Sequence, residues 1–382
     1  MSSSKQDFYT GLAGGSMSEI HALILVPLSA ILFSGNDFIR CWLAFILSVT
    51  ILPSYAIALF LVAGALKWYT LDVNKSIQTP FPSITIFKSL MMIMTIICIL
   101  AVDFPIFNRR LAKTEIYGTS LMDIGVGTFI YSGGLMFGLR NLNSINAVFL
   151  KAIPVWLLGL GRLISVKMSD YHEHVTEYGI HWNFFFTLGT IPILATIWSK
   201  IPISNLYLGY SIGILYQSAL HFGGMDYILY ADRSNLISMN REGILSCLGY
   251  LSLWLMAADV GANIKQPHFT NYLFKRIAVN FGFICILMSL NIQISRRATN
   301  FVFVLWCTFV SDVFLWLLHY KVVVVPKLLV LINKHQLVLF LIANVITGCI
   351  NMVLDTQNTS DIAALLILIN YALVMTVTAQ IL

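Results

Sequence analysis

The feature that most constrains this chain is its rhythm of long apolar runs separated by short polar connectors. One of them, Ser89 to Val102, is almost uninterrupted. Crossing a hydrocarbon core of about 30 Å takes roughly 20 residues of helix. Twelve stretches approach that ruler: Ile20–Phe33, Trp42–Leu66, Ile86–Val102, Ser120–Phe137, Ala147–Val166, Ile180–Trp198, Ile203–His221, Gly243–Ala262, Ile277–Ile292, Phe301–His319, Leu337–Leu354 and Ile362–Leu382. A thirteenth, Lys321–Lys334, is short and broken by Pro326 and Lys327, so a re-entrant or interfacial segment is the equal alternative. The expected fold is an all-α polytopic transmembrane helix bundle of about 12–13 spans, forming one integral-membrane domain over 1–382.

Composition agrees. Charged residues make up 10% of the 382 and hydrophobic ones 58%, against roughly 25% charged in soluble domains. The start, MSSSKQDFYTGLAGG, lacks a basic region leading into a short apolar core, so the first apolar helix is expected to act as the insertion signal. A net charge of +6 is spread over many loops and forms no stripe for nucleic acid; it suits contact with lipid headgroups. The six cysteines lie in or beside apolar runs without any CxxC spacing, which reads as membrane packing rather than a disulfide framework or a metal site.

Ionisable groups at membrane depth are costly unless paired or hydrated, so they mark functional candidates. They concentrate in DFPIFNRRLAKTEIYGTSLMDIGVG, Asp103 to Gly127. Asp103 ends an apolar run, where desolvation makes a carboxylate a better base. Pro105 turns the chain and allows Lys113 to fold back toward Asp103; a snorkelling pair that anchors a loop is the competing reading. Arg109 and Arg110 suit a phosphate or pyrophosphate, and equally a headgroup anchor. Glu115 completes the connector. Asp123 sits among small neighbours, Gly125 and Gly127, which permit close helix approach, with Arg162 as an obvious ion-pair partner.

Farther on, Asp170, His174, Glu177 and His181 share a face at helical spacing. There is no HExxH, and Gly179 weakens a continuous helix, so a hydrogen-bonding pocket for a polyol headgroup is preferred to zinc. Asn240 reads as a helix cap, Arg296 and Arg297 as headgroup contacts at a helix start, and Asn344 and Asn351 as amides on one helical face. Asp259, Asp312, His221 and His319 look isolated.

Taken in order, DFPIFNRRLAKTEIYGTSLMDIGVG, LLGLGRL, YHEHVTEYGIHWNFFFT, NREGILSCLGY, SRRATNFVFVLW and NVITGCIN resemble the PIG-W family, the inositol acyltransferases of glycosylphosphatidylinositol (GPI) anchor synthesis that include the fungal Gwt enzymes. The likeness covers most of the chain from about Asp103 onward; Asn108 stands where the family usually has proline, and the loops look shorter. The resemblance implies a multi-pass enzyme of the endoplasmic-reticulum membrane that transfers a fatty acyl group, usually palmitoyl, from acyl-CoA to the inositol 2-hydroxyl of glucosaminyl-phosphatidylinositol.

Such a reaction assigns roles. Asp103 is the expected base, with Asp123 or His181 as alternatives, and Lys113 the oxyanion donor or the partner that keeps Asp103 ionised. Arg109 and Arg110 would hold a phosphate, while Glu177, His181 and Asn183 orient the headgroup. Glu115, Asp123 and Arg162 join them as substrate-binding candidates. The partners are acyl-CoA as co-substrate, glucosaminyl-phosphatidylinositol and membrane lipids, with no nucleic acid, no metal and no redox cofactor required. Two rival classes use the same charges: a multi-span transporter of a lipid or small solute, and an inactive scaffold of the same fold.

Overall fold

A computed structural model describes residues 11–31, 37–51, 76–141, 144–168, 175–321 and 325–382. Its longer helices, in chain order, are α1 (Met17–Ile31), α2 (Pro82–Ala101), α3 (Leu121–Arg140), α4 (Ile145–Met168), α5 (Phe184–Trp198), α6 (Asn205–Ala219), α7 (Arg241–Asn263), α8 (Phe269–Ser289), α9 (Phe301–Lys321), α10 (Lys327–Lys334), α11 (Gln336–Val353) and α12 (Asp361–Ile381). Among the described residues eight are long and apolar enough to cross a membrane: α2, α3, α4, α7, α8, α9, α11 and α12. The protein is an all-α polytopic bundle.

Helix α1 starts three residues ahead of the predicted Ile20 and is described to Ile31. Two predicted spans come out shorter: α5 has 15 residues. Helix α6 also stops at 15, because Phe222 and Gly223 (φ +103°) leave helical geometry and the chain bends into the short helix Met225–Tyr230. The predicted span Trp42–Leu66 is described only to Ile51; the rest lies outside the described residues.

The chain divides into two compact units, neither continuous in sequence. The first comprises Thr114–Gly118 and Val126–Val313, with Gly11. In it α5 packs on α4 and α7, and α6 lies along α7. Small residues bring the backbones together, as expected where lipid offers no hydrophobic drive. A Cβ on Gly138 of α3 would stand 1.8 Å from the carbonyl oxygen of Ala258 on α7, and Ser252 Oγ of α7 donates to Gly209 O of α6 at 2.6 Å. Helix α7 is mostly buried, whereas α4 and α8 are mostly exposed. Their exposed side chains recur every seven residues: Leu150, Leu157 and Ile164 on α4, and Phe274, Phe281 and Met288 on α8. Two turns of helix bring the same face round again, so each helix carries an exposed apolar stripe of the kind a lipid-facing helix presents.

The second unit comprises Leu12–Lys113, Thr119–Gly125 and Phe314–Leu382. Helix α2 is its core, buried along most of its length, as an all-round apolar helix should be. It packs against α10 and α11; Ser89 Oγ donates to Leu329 O at 2.6 Å, and the Phe87 and Phe314 rings meet edge to face. Ser76–Ile77 (β1) pairs antiparallel with Val325–Pro326 (β2) just before α10. With 8 residues, α10 is only about 12 Å long. It buries Leu328, Leu329 and Ile332 between Lys327 and Lys334. Within Lys321–Lys334, residues 322–324 lie outside the described residues, and α10 by itself is too short to cross a membrane.

None of the six cysteines is in a disulfide. Four are buried as expected, but Cys285 and Cys349 are exposed on α8 and α11.

Candidate functional site

The second unit holds the Asp103 turn. After α2 the backbone folds through successive tight hydrogen bonds, Asp103 N to Leu100 O, Phe104 N to Ala101 O and Phe107 N to Phe104 O. Phe104 and Phe107 have no exposed surface and pin the turn. The Arg109 guanidinium then closes it: Nη2 donates to Val102 O (2.7 Å) and Phe104 O (3.2 Å), and Nε to Phe107 O (3.2 Å). This places a cation on the C-cap carbonyl of α2, Val102 O, and on two carbonyls of the turn that follows. Two of its three nitrogens are thereby committed to backbone, which the sequence reading of Arg109 as a phosphate ligand did not foresee.

Asn108, in place of the expected proline, keeps the turn tight by another route. Its Oδ1 caps the 3-10 turn Arg109–Leu111, accepting from Arg110 N at 3.2 Å and Arg110 Nε at 3.3 Å. Arg110 itself is half exposed and pairs with Glu19 at 3.1 Å. Asp103 is partly buried, and its Oδ2 accepts from Asn351 Nδ2 of α11 at 2.8 Å. Lys113 is partly exposed two residues past the 3-10 turn. Beside the turn opens a cleft of about 460 Å³ between Thr50 and Ile51, Pro105 and Ile106, and the start of α12 at Asp361, Ile362 and Leu365.

Asp123 is fully buried in the first turn of α3, where its charge complements the helix dipole; its backbone N–H donates to Ser120 Oγ at 3.0 Å. The two glycines beside it differ. A Cβ on Gly127 would stand 2.2 Å from Cys307 Sγ, so close approach does require glycine there, whereas nothing lies within 4 Å of one on Gly125. Arg162, the partner expected from sequence, has its side chain exposed on α4. Glu115 is exposed and accepts from Gly11 N at 3.0 Å.

In the first unit Glu177 sits in a single helical turn, Val175–Tyr178, which Gly179 (φ +110°) ends. His181 therefore does not continue the helical face read from the sequence; Asp170 and His174 lie outside the described residues. Glu177 meets Arg296 at 3.5 Å. The backbone N–H groups of His181 and Trp182 both donate to Asn240 Oδ1, at 2.8 and 2.9 Å. Asn240 thus tethers this loop and makes no side-chain cap on α7. Asn183, expected to orient a headgroup, is buried and spent on structure: Oδ1 caps α5 through Phe185 N, and Nδ2 donates to Gly159 O. Arg296 and Arg297 are buried ion-pair partners, of Glu177 and Glu242, rather than headgroup contacts.

The sequence reading missed one network altogether. Arg276 of α8 bonds Asp312 of α9 (3.1 Å) and lies 3.6 Å from Asp259 of α7. Tyr131 donates to Asp312 at 2.5 Å, Tyr272 donates to Asp259, and Tyr210 and Asn280 extend the chain of bonds. Both aspartates had looked isolated because their partner is 17 and 36 residues away. The signal was available in principle: an Arg within an apolar run seldom goes unpaired. Among the described residues no group of three or more His, Cys, Asp or Glu side chains is placed to hold a metal ion.

The chain matches the family model GWT1 over residues 1–382. It is 34% identical to GPI-anchored wall transfer protein 1 of Candida albicans, covering 98% of this chain and 96% of that one. The corresponding values for the proteins of that name are 33%, 96% and 94% in Yarrowia lipolytica, and 32%, 98% and 96% in Emericella nidulans. The Candida alignment runs over 472 positions, more than the 382 residues here, so that relative carries segments this chain lacks, in keeping with shorter loops.

Proposed function

Because the chain belongs to the GWT1 family, we propose that it serves GPI-anchor biosynthesis in the endoplasmic-reticulum membrane, as an O-acyltransferase. It moves a fatty acyl group, palmitoyl in the first instance, from acyl-CoA to the inositol 2-hydroxyl of glucosaminyl-phosphatidylinositol. The inositol oxygen attacks the thioester carbonyl; the new C–O bond forms as the C–S bond breaks. Asp103 takes the hydroxyl proton and returns it to the departing thiolate. Lys113 stabilises the oxyanion, a role in which one preorganised donor contributes roughly two to three decades in rate.

The observation that supports this best is the placement of Asp103. It sits just past the end of a buried apolar helix, accepts a hydrogen bond from Asn351, and opens a turn whose Pro105 and Ile106 line a cleft. The cleft volume falls within the roughly 300–1,000 Å³ of small-molecule sites; Ile51, Pro105, Ile106, Ile362 and Leu365 give it an apolar side suited to part of an acyl chain, with Thr50 and Asp361 as its polar groups. Of the two adjacent arginines, Arg110 has the free surface to grip a phosphate, while Arg109 holds the turn.

The decisive assay uses purified full-length protein and labelled palmitoyl-CoA. Asp103→Asn and Lys113→Ala should each lower turnover by about two decades or more while the fold survives. Near wild-type turnover in both, with intact folding, would sink the assignment, and Asp123→Asn in the same assay tests the alternative base.

A further inference from the structure

One segment of the first unit has its polarity turned inside out. Helix α6 ends where Phe222 and Gly223 leave helical geometry, and the chain runs on through the short helices Met225–Tyr230 and Leu236–Met239 before α7 begins. Within this segment Phe222, Tyr230, Leu236 and Ile237 are between 64% and 86% exposed. Its polar anchors point the other way. Arg241, itself buried, donates to Ile228 O and Ser238 O, and Arg233 donates to Met239 O and to Glu242. Backbone carbonyls that water satisfies in an ordinary surface loop are thus held from beneath, while large apolar side chains face out. A loop made for water shows the reverse arrangement.

The level of the segment is set by its packing. Met225 and Ile228 join Tyr216 and Leu220 in one apolar cluster with Leu245 of α7. Leu245 lies four residues into α7, about 6 Å along its axis. Because α7 is long and apolar enough to cross a membrane, the short helix Met225–Tyr230 lies beside the first turns of a spanning helix and not beyond its end. Exposed apolar residues of α6, Ile214 and Leu215, lead up to it. The exposed polar groups of the segment include Asp226 and Asp232, with His221 beside the kink. Carboxylates need water or headgroups, so the segment does not sit in the middle of the acyl layer.

We infer that Leu220–Met239 is an interfacial segment that rests in one leaflet, with Phe222, Leu236 and Ile237 among the acyl chains and Tyr230 at the headgroup boundary. Aromatic rings with one polar end favour that boundary. Apolar side chains presented by short, non-spanning helices take up lipid chains as an amphipathic helix on a membrane surface does. Bulk bilayer lipid is the partner, whatever reaction the Asp103 turn carries out.

Site-directed nitroxides read the depth without any turnover. Full-length protein carrying Cys285→Ser and Cys349→Ser, which removes the two exposed cysteines, is given one new cysteine at a time. The positions are Phe222→Cys, Ile237→Cys, Asp232→Cys and, on the exposed stripe of α4, Leu157→Cys. Each is labelled, placed in phosphatidylcholine nanodiscs and exposed to molecular oxygen, which partitions into lipid, or to a water-soluble nickel chelate. The labels at 222 and 237 should show an oxygen-to-nickel accessibility ratio several-fold above that at 232 and close to that at 157. The replaced side chains face outward, so packing survives; should one variant fail to fold, Leu236→Cys takes its place. A ratio at 222 and 237 no higher than at 232 would make the segment an aqueous loop, and protection from both reagents would mean that protein covers it. Either result overturns the assignment.

Discussion

The Asp103 turn and the buried network around Arg276 are both rich in charge, but their charges are used in opposite ways. In the turn, Arg109 reaches carbonyls two to seven residues away and Arg110 an amide two residues away. Neighbouring cations thereby shape a local bend and leave a carboxylate, Asp103, for an amide on another helix. In the network, Arg276 spans α7, α8 and α9 to reach Asp259 and Asp312, and it has almost no exposed surface. Local charge sculpts a loop, whereas distant charge clamps helices. The first region is a turn whose Pro105 and Ile106 line a cleft, whereas the second is packed among three helices, so the first is the better place to look for chemistry.

The strongest way to break this contrast is to break the clamp. Arg276→Leu leaves Asp312 buried beside Tyr131 and Asn280 with its cation gone. Removing one partner of a buried pair costs about 3–5 kcal/mol, and removing both in favour of apolar side chains costs far less. Arg276→Leu should therefore lower the thermal midpoint in detergent and the folded yield on size exclusion sharply, and Arg276→Leu with Asp312→Leu should recover most of the loss. If the double variant is no better than the single, the network does more than clamp helices.

How far the sequence carried depended on range. Apolar runs of about 20 residues announced α2, α3, α4, α7, α8, α9, α11 and α12, because spanning length is a one-dimensional property. Asp103 was legible as the carboxylate closing such a run. The Asn351 bond to it was not, since the two residues are 248 apart in the chain. Arg109 and Asn183 misled for the reverse reason: a polar side chain beside a helix end is often consumed by that end, and sequence alone does not tell a cap from a ligand. The kink at Gly223, which ends α6 early, was marked only by a Gly-Gly pair.

An intermediate effect should come from Asn351→Leu. Hydrogen bonds to charged groups contribute about 1.5–3 kcal/mol, so losing this donor should lower kcat roughly tenfold to a hundredfold, with a smaller change in KM. Asn351→Gln, which keeps the amide at a different reach, should recover part of it. An unchanged kcat in folded Asn351→Leu would separate Asp103 from α11 and weaken the claim that this carboxylate is held in place for chemistry.

The smallest effects sharpen the division of labour between the two adjacent arginines. Arg109→Gln removes a cation from the C-cap carbonyl of α2 and from the turn that follows, worth roughly 0.3–1 kcal/mol at an exposed helix end and up to about 2 kcal/mol where partly buried, as here. It should lower the thermal midpoint. Arg110→Gln breaks a half-exposed pair with Glu19. Solvent-exposed pairs contribute only about 0–1 kcal/mol, so its midpoint should barely move, and a double-mutant cycle with Glu19→Gln should give a coupling energy near the low end of that range. If Arg110 meets a phosphate, its loss should instead raise the KM for acyl-CoA or for the lipid acceptor at nearly constant stability. The opposite pattern, with stability lost at Arg110 and substrate affinity lost at Arg109, would reverse the reading of the turn, because the guanidinium engaged with backbone would then be the one that meets substrate.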